Sequence, residues 1–189
     1  MHEISNLRQI RLLASPLRQG IMDALEASDA KSAKELARIL GYAPDAVYHH
    51  LRLLVRGGLL VSKQCSTGIG RPYAVFALHT KPSRLRYKPS DRRNAAAITK
   101  VVATMLRDAS RTFARAMAQH PVVSGRRRNL WAGRCTAWLT PRELEELNRL
   151  LHSITRLMLR GSPARRSVRL YALAFALSPF GARRRSPES

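Results

Sequence analysis

Acidic residues are scarce in this 189-residue chain: 12 Asp and Glu stand against 34 Lys and Arg, for a formal net charge of +22 and a pI near 11.6. That balance argues against a basic or cationic partner and for a polyanionic one. Cysteines are few as well. Cys65 and Cys135 stand alone and far apart, which excludes a disulfide framework or a cysteine zinc site and fits a reducing, cytoplasmic setting. No run of about 18 apolar residues occurs, so no membrane span is expected. The opening MHEISNLRQI has no basic stretch leading into an apolar one, and no secretory signal is read there. A glycine-rich phosphate loop, an H-E-x-x-H pair and a nucleophile constellation are also missing, so no enzyme activity, cofactor or metal site is expected. What remains is a chain with 45% hydrophobic residues, enough to pack one or two domain cores.

The positive charge is distributed unevenly. Residues 1–80 carry ten basic and six acidic side chains, whereas residues 81–189 carry twenty-four and six. The clusters Lys81, Arg84, Arg86 and Lys88, then Arg126 to Arg128, then Arg183 to Arg185 lie in the second part. Such groups strengthen phosphate binding without reading sequence, or they are merely solvated.

The mildly basic first part has the more specific pattern. Ser15 and Pro16 start a helix, with a hydroxyl to cap and a proline at the first helical position. Leu17, Ile21, Ala24 and Leu25 give that helix a core face to about Ala27, and Ile4 to Ala14 reads as an additional helix before it. Ser32 and Glu35 then form the S-x-x-E capping box. Leu36, Ile39 and Leu40 supply a buried stripe, and Gly41 ends the short helix in the left-handed conformation. Pro44 opens the next helix, in which Val47, Leu51 and Leu54 face the core together. The opposite face carries Asp45, Tyr48, His49 and Arg52. Gly57 and Gly58 stop this helix, and Leu59 to Gln64 and Tyr73 to Leu78 flank the loop CSTGIGRP as a hairpin with Lys63 and Arg71 at its shoulders.

Helix, turn, helix, hairpin is the layout of a winged helix-turn-helix, which presents its second helix to the DNA major groove. The stretches LASPLRQGIMDAL, KELARILGYAPDAVYHHLRLLVRGGLL and GRPYAVFAL resemble the ArsR-type winged-helix repressors over about residues 12 to 78. The resemblance implies a homodimeric transcription regulator. Metal-sensing members place Cys-Val-Cys where this chain has Ser32, Ala33 and Lys34, so a non-metal-sensing member with a C-terminal extension is implied. His49 and His50 are adjacent in a helix and point about 100° apart, too far to chelate one ion as an i, i+4 pair does. His50 is expected to pack or hydrogen-bond beneath the helix, and His49 to face DNA.

Beyond His79, KPSRLRYKPS reads as a linker. Ser90 or Asp91 then caps a long helix to about Gln119, with Ile98, Val102, Met105, Ala109, Thr112 and Ala116 at coiled-coil spacing. That seam is expected at a dimer interface or, failing that, in an intramolecular core. Leu130 to Leu139 looks extended. Thr140, Pro141 and Glu143 announce a helix striped by Leu144, Leu147, Leu151, Ile154 and Met158, closed by Gly161 to Pro163, and Val168 to Leu177 reads as a buried strand. Trp131, Trp138, Tyr171 and Phe175 line either a small-molecule effector pocket or a plain core.

The expected fold is α+β and mainly helical: a winged helix-turn-helix DNA-binding domain over 1–80, a linker over 81–90, a dimerisation helix over 91–120, a small C-terminal α+β element over 121–181 and a disordered tail from 182. The expected function is sequence-specific binding of double-stranded DNA by a homodimer, with Pro44, Asp45, Tyr48, His49, Arg52, Lys63 and Arg71 at the interface. Asp45, Tyr48 and His49 would read bases, while Arg52 and the hairpin hold phosphates. The alternative is a winged-helix protein-interaction or RNA-associated module with a basic C-terminal half, which rests on charge alone.

Overall fold

The computed structural model describes residues 2–66, 72–81, 83–160 and 170–179. Four helices build the centre of the core. Helix α1 spans Leu7–Leu12, α2 Pro16–Glu26 and α3 Ala33–Leu40, and α4, Pro44–Arg56, completes the helix-turn-helix. Ile10, Ile21, Leu25, Leu36, Val47, Leu51 and Leu54 are the largest fully buried side chains. They are the i, i+3 and i+4 stripes of these amphipathic helices, turned toward one another because burying each such side chain stabilises the fold by roughly 1.5–3 kcal/mol.

Local chemistry sets the ends of these helices. Ser32 N–H donates to Glu35 Oε2 at 2.7 Å, and Glu35 N–H donates to Ser32 Oγ at 3.3 Å, closing the capping box. These bonds from Ser32 hold the Glu35 carboxyl below its ordinary pKa. Gly41 takes φ 72° as the C-cap of α3 and directs the chain into the turn before α4. Ser15 precedes α2 as expected, but its hydroxyl makes no capping hydrogen bond, so Pro16 alone marks that start. The N-terminal helix is also shorter than its apolar pattern suggested: Ile4 belongs instead to strand β1, His2–Ile4.

A three-stranded sheet backs the helices. Strand β3, Leu60–Cys65, and β4, Tyr73–Leu78, form the antiparallel hairpin with Leu60 opposite Leu78 and Cys65 opposite Tyr73. Strand β2, Lys31–Ser32, pairs on the other side of β4 through Phe76 and Val75. Phe76 and Leu78 are buried from the sheet into the helical core. Residues 67–71 of the hairpin loop, Arg71 among them, lie outside the described residues.

The segment read as a linker is tied down. Strand β5, Ser83–Leu85, runs parallel to β1, and Ile4 is buried beneath that pair. Asn94, also buried, accepts from Lys88 N–H at 2.8 Å and donates to Arg86 O at 3.2 Å. Those bonds satisfy the amide and fix the entry to helix α5, Arg92–Met117, which Asp91 caps. Gln19 Nε2 donates to Leu13 O and to Val101 O, joining α1, α2 and α5. The buried face of α5 is Asn94, Ala97, Val101 and Thr104. The expected seam lies beside it, with Val102, Met105, Ala109 and Ala116 half-buried and Thr112 exposed, because α1 packs against α5.

Beyond α5 the expected α+β element departs furthest from expectation. Its helix is present as α6, Pro141–Leu159, with a complete Thr140–Glu143 capping box. The runs 130–139 and 170–177 form no strand, and residues 161–169 and 180–189 lie outside the described residues. A strand needs a pairing edge, and these runs have none among the described residues: Trp138 is 101% exposed, and α6 buries none of its residues. The stability of the described fold therefore resides in the N-terminal core. Leu51→Ala should cost about 2–5 kcal/mol in denaturant unfolding, whereas Leu150→Ala on α6 should change little. Equal losses for the two variants would contradict this division.

Candidate nucleic-acid interface

The outward face of α4 is set by the inward one. With Val47, Leu51 and Leu54 fully buried, the 3.6-residue period turns Asp45, Tyr48, His49 and Arg52 to solvent, and all four are exposed, as is Pro44 at the first position. The structure therefore brings together five of the seven residues singled out from the sequence. Lys63 is a sixth, exposed in the middle of β3 opposite Val75. Arg71 lies outside the described residues.

Two further side chains extend this surface. Arg56 continues the exposed face one turn beyond Arg52, and Arg38 lines an open hollow between α3 and α4 together with Lys34, Tyr42 and Pro44. The signal for Arg56 was present in the sequence as the i+4 neighbour of Arg52. Arg38 reaches the surface only because the Gly41 turn folds α3 beside α4, which spacing along one helix does not show.

Tyr48 also packs inward. Its ring meets Phe76 of β4 edge-on, with centroids 6.3 Å apart and planes at 77°, while the residue remains 47% exposed. Contacts of this geometry contribute beyond simple burial, so Tyr48 couples the orientation of α4 to the hairpin. Asp45 sits in the first turn of α4, where a carboxylate is favoured by the helix dipole. There it can accept a hydrogen bond from a base amino group.

His50 lies beneath this face. Arg18 Nη1 donates to His50 Nδ1 at 3.3 Å, which places the imidazole proton on Nε2, and the His49 ring stands edge-on 5.4 Å away. Arg18 also donates from Nε to Leu12 O, anchoring the guanidinium to the end of α1. Burial, then the Arg18 charge, then His49 lower the His50 pKa from its ordinary 6.5. This is a structural histidine that links α4 to α2, and its surroundings disfavour the charged form.

Residues 32–34, where the resemblance led us to look for cysteines, are Ser32, Ala33 and Lys34. Ser32 is committed to Glu35 as the cap of α3. Trp131, Trp138, Tyr171 and Phe175, read as a pocket or core, are all exposed, from 45% to 101%. The expected packing among these four rings is absent.

A family of helix-turn-helix domains matches residues 13–63, which covers α2 to the middle of β3. The chain therefore carries a helix-turn-helix domain, and the match stops short of β4, α5 and α6. Among solved structures, a mutant apo form of ZitR from Lactococcus lactis is similar at 16% identity and TM-score 0.31, covering 76% of this chain and 83% of that one. RV1404 from Mycobacterium tuberculosis is similar at 16% identity and TM-score 0.30, with 79% and 81% covered. No curated protein sequence matches.

The His50 environment makes an acid-side prediction. A proton taken up by the unfolded imidazole near its ordinary pKa is resisted in the folded chain, so stability should fall as pH drops below about 6.5. Melting temperature measured between pH 7 and 5 should decline more steeply for the wild type than for His50→Gln. Parallel profiles would show that His50 carries no such linkage.

Proposed function

We propose that this protein is a sequence-specific DNA-binding transcription regulator that acts as a homodimer, with α4 in the major groove and the β3–β4 hairpin on the backbone or in the minor groove. The observation that carries this reading is the division of α4 into a fully buried side and a side of polar, aromatic and cationic groups, within a segment that matches the helix-turn-helix family. Asp45, Tyr48 and His49 contact base edges. Arg52, Lys63 and Arg71 hold phosphates, with Arg56 extending the row. The half-buried face of α5, Val102, Met105, Ala109 and Ala116, pairs two copies so that two α4 helices address two half-sites. Metal sensing through residues 32–34 has no place in this reading, since no thiolate is available there.

The test is binding-site selection from a random duplex pool, followed by competition among single-base variants of the selected site. His49→Ala should relax preference at one or two base pairs by roughly ten-fold or more, as expected for about 1–3 kcal/mol per base contact. Tyr48→Phe keeps the ring on Phe76 and isolates the hydroxyl. Unchanged preference in both variants would reject these base contacts. Lys63→Ala should instead weaken binding to all duplexes and reduce the salt slope by about 1. Light scattering at low micromolar concentration should give a dimer, and a monomer with or without DNA would reject the α5 interface.

A further inference from the structure

From Ala109 to Arg142 the chain contains seven arginines and no acidic residue. Within this interval, residues 122–129 form a closed loop. Val122 N–H donates to Asn129 Oδ1 at 2.9 Å, and Asn129 N–H donates to Val122 O at 2.8 Å, so Asn129 clamps the neck through both side chain and backbone. At the tip Gly125 has φ 73°, a left-handed conformation that a glycine adopts without strain, and Arg128 N–H donates back to Gly125 O at 3.2 Å. Arg128 is occupied with the loop itself: its Nε donates to Leu130 O at 3.0 Å and its guanidinium lies 3.8 Å above the Trp131 ring. Arg126 and Arg127 remain at the tip, exposed, and neither makes an ion pair among the described residues.

We infer that this loop is a second DNA-contacting element, in which Arg126 and Arg127 hold phosphates of the same duplex outside the bases read by α4. The inference rests on the DNA-binding reading above and adds a site to it. Two exposed guanidiniums without an ion-pair partner among the described residues match phosphate oxygens, which accept paired N–H bonds. The Asn129 clamp orders the backbone before any ligand arrives, which lowers the entropy lost on binding. Duplex phosphates suit the tip better than unpaired bases do, because Arg128 already covers one face of the Trp131 ring that a base would stack on. The loop follows the end of α5, which is buried as far as Thr104 and runs on to Met117, roughly 20 Å further. That distance sets the loop apart from the core that carries α4, which suits phosphates flanking the bases that α4 would read.

The experiment compares wild type, Arg126→Ala/Arg127→Ala and Asn129→Ala as full-length chains, with the selected duplex and an unrelated duplex of equal length titrated over a range of salt. The double variant should lose about two units of slope in log K against log salt, near 0.9 for each phosphate released. Its preference for the selected duplex over the unrelated one at fixed salt should stay within about two-fold of wild type, because the lost contacts are to phosphates. Asn129→Ala retains both cations and the core, so weaker binding at fixed salt would support the clamp as a positioning device. An unchanged slope in the double variant overturns the proposal, as does a loss confined to structured RNA tested in parallel. Wild-type binding like that of Asn129→Ala overturns the positioning role. Should the wild type select no duplex, the α4 reading fails by itself, while the slope on unrelated duplex still decides whether the loop contacts phosphates.

Discussion

Everything that faces solvent on α4 depends on what it buries. Val47, Leu51 and Leu54 are at 0% exposure, alongside Ile21 and Leu25 from α2 and Leu36 from α3. A one-residue rotation of the helix would move each of these by about 100°, exposing the seam and burying Asp45 or Arg52 without a partner. The core therefore fixes the orientation of the outward residues more firmly than any contact those residues make for themselves. Arg18 adds a directional constraint, since its bonds to Leu12 O and His50 Nδ1 link the end of α1 to the underside of α4. Tyr48 on Phe76 does the same from the hairpin side. The candidate interface is thus held by contacts from both directions while its own polar groups stay available.

The parts of this arrangement legible in the sequence are those whose causes are local. Capping boxes at Ser32–Glu35 and Thr140–Glu143, the Gly41 stop and the apolar stripes of α2 and α4 depend on residues three or four apart. In α3, by contrast, Leu36 is buried with Ala37, and Ile39, expected in the same stripe, is exposed because no element packs over that side of so short a helix. The exposure of Pro44, Asp45, Tyr48, His49 and Arg52 on α4 follows from the same periodicity. Strands β1, β2 and β5 were missed because each is two or three residues long and exists only through pairing with a distant segment. No short-range alternation marks Lys31 and Ser32 as partners of Phe76 and Val75. The linker reading of residues 81–90 failed for the same reason: its prolines and charges are visible locally, but the parallel pairing with residues 2–4 and the Asn94 clamp are not.

For α5, the periodicity was right and the choice of face was incomplete. A helix with apolar residues on a broad arc offers two overlapping seams, and α1 selects the one containing Ala97 and Val101. The adjacent seam, from Val102 to Ala116, remains half-buried. In the C-terminal half the helix expected from Thr140 is present, but residues 130–139 and 170–177, expected as strands paired across it, form no strand. Period-2 alternation says that a run can pair, whereas pairing itself needs an edge in register.

The distribution of charge separates two tasks that the total of +22 would merge. Recognition of bases needs few charges, placed rigidly, and α4 carries a carboxylate among its outward groups. An all-cationic face would attract every phosphate equally and blunt discrimination between sequences, because the backbone is common to all of them. Strong, sequence-independent attraction is better placed away from the reading helix, where it raises affinity without competing for the groove. In the proposed reading Arg126 and Arg127 meet that requirement, lying beyond the half of α5 that leaves the core and presented by a loop whose own hydrogen bonds leave both guanidiniums uncommitted among the described residues. If α4 reads bases as proposed, a mildly basic reader and a strongly basic extension are complementary, since adding cations to α4 would gain affinity at the cost of specificity.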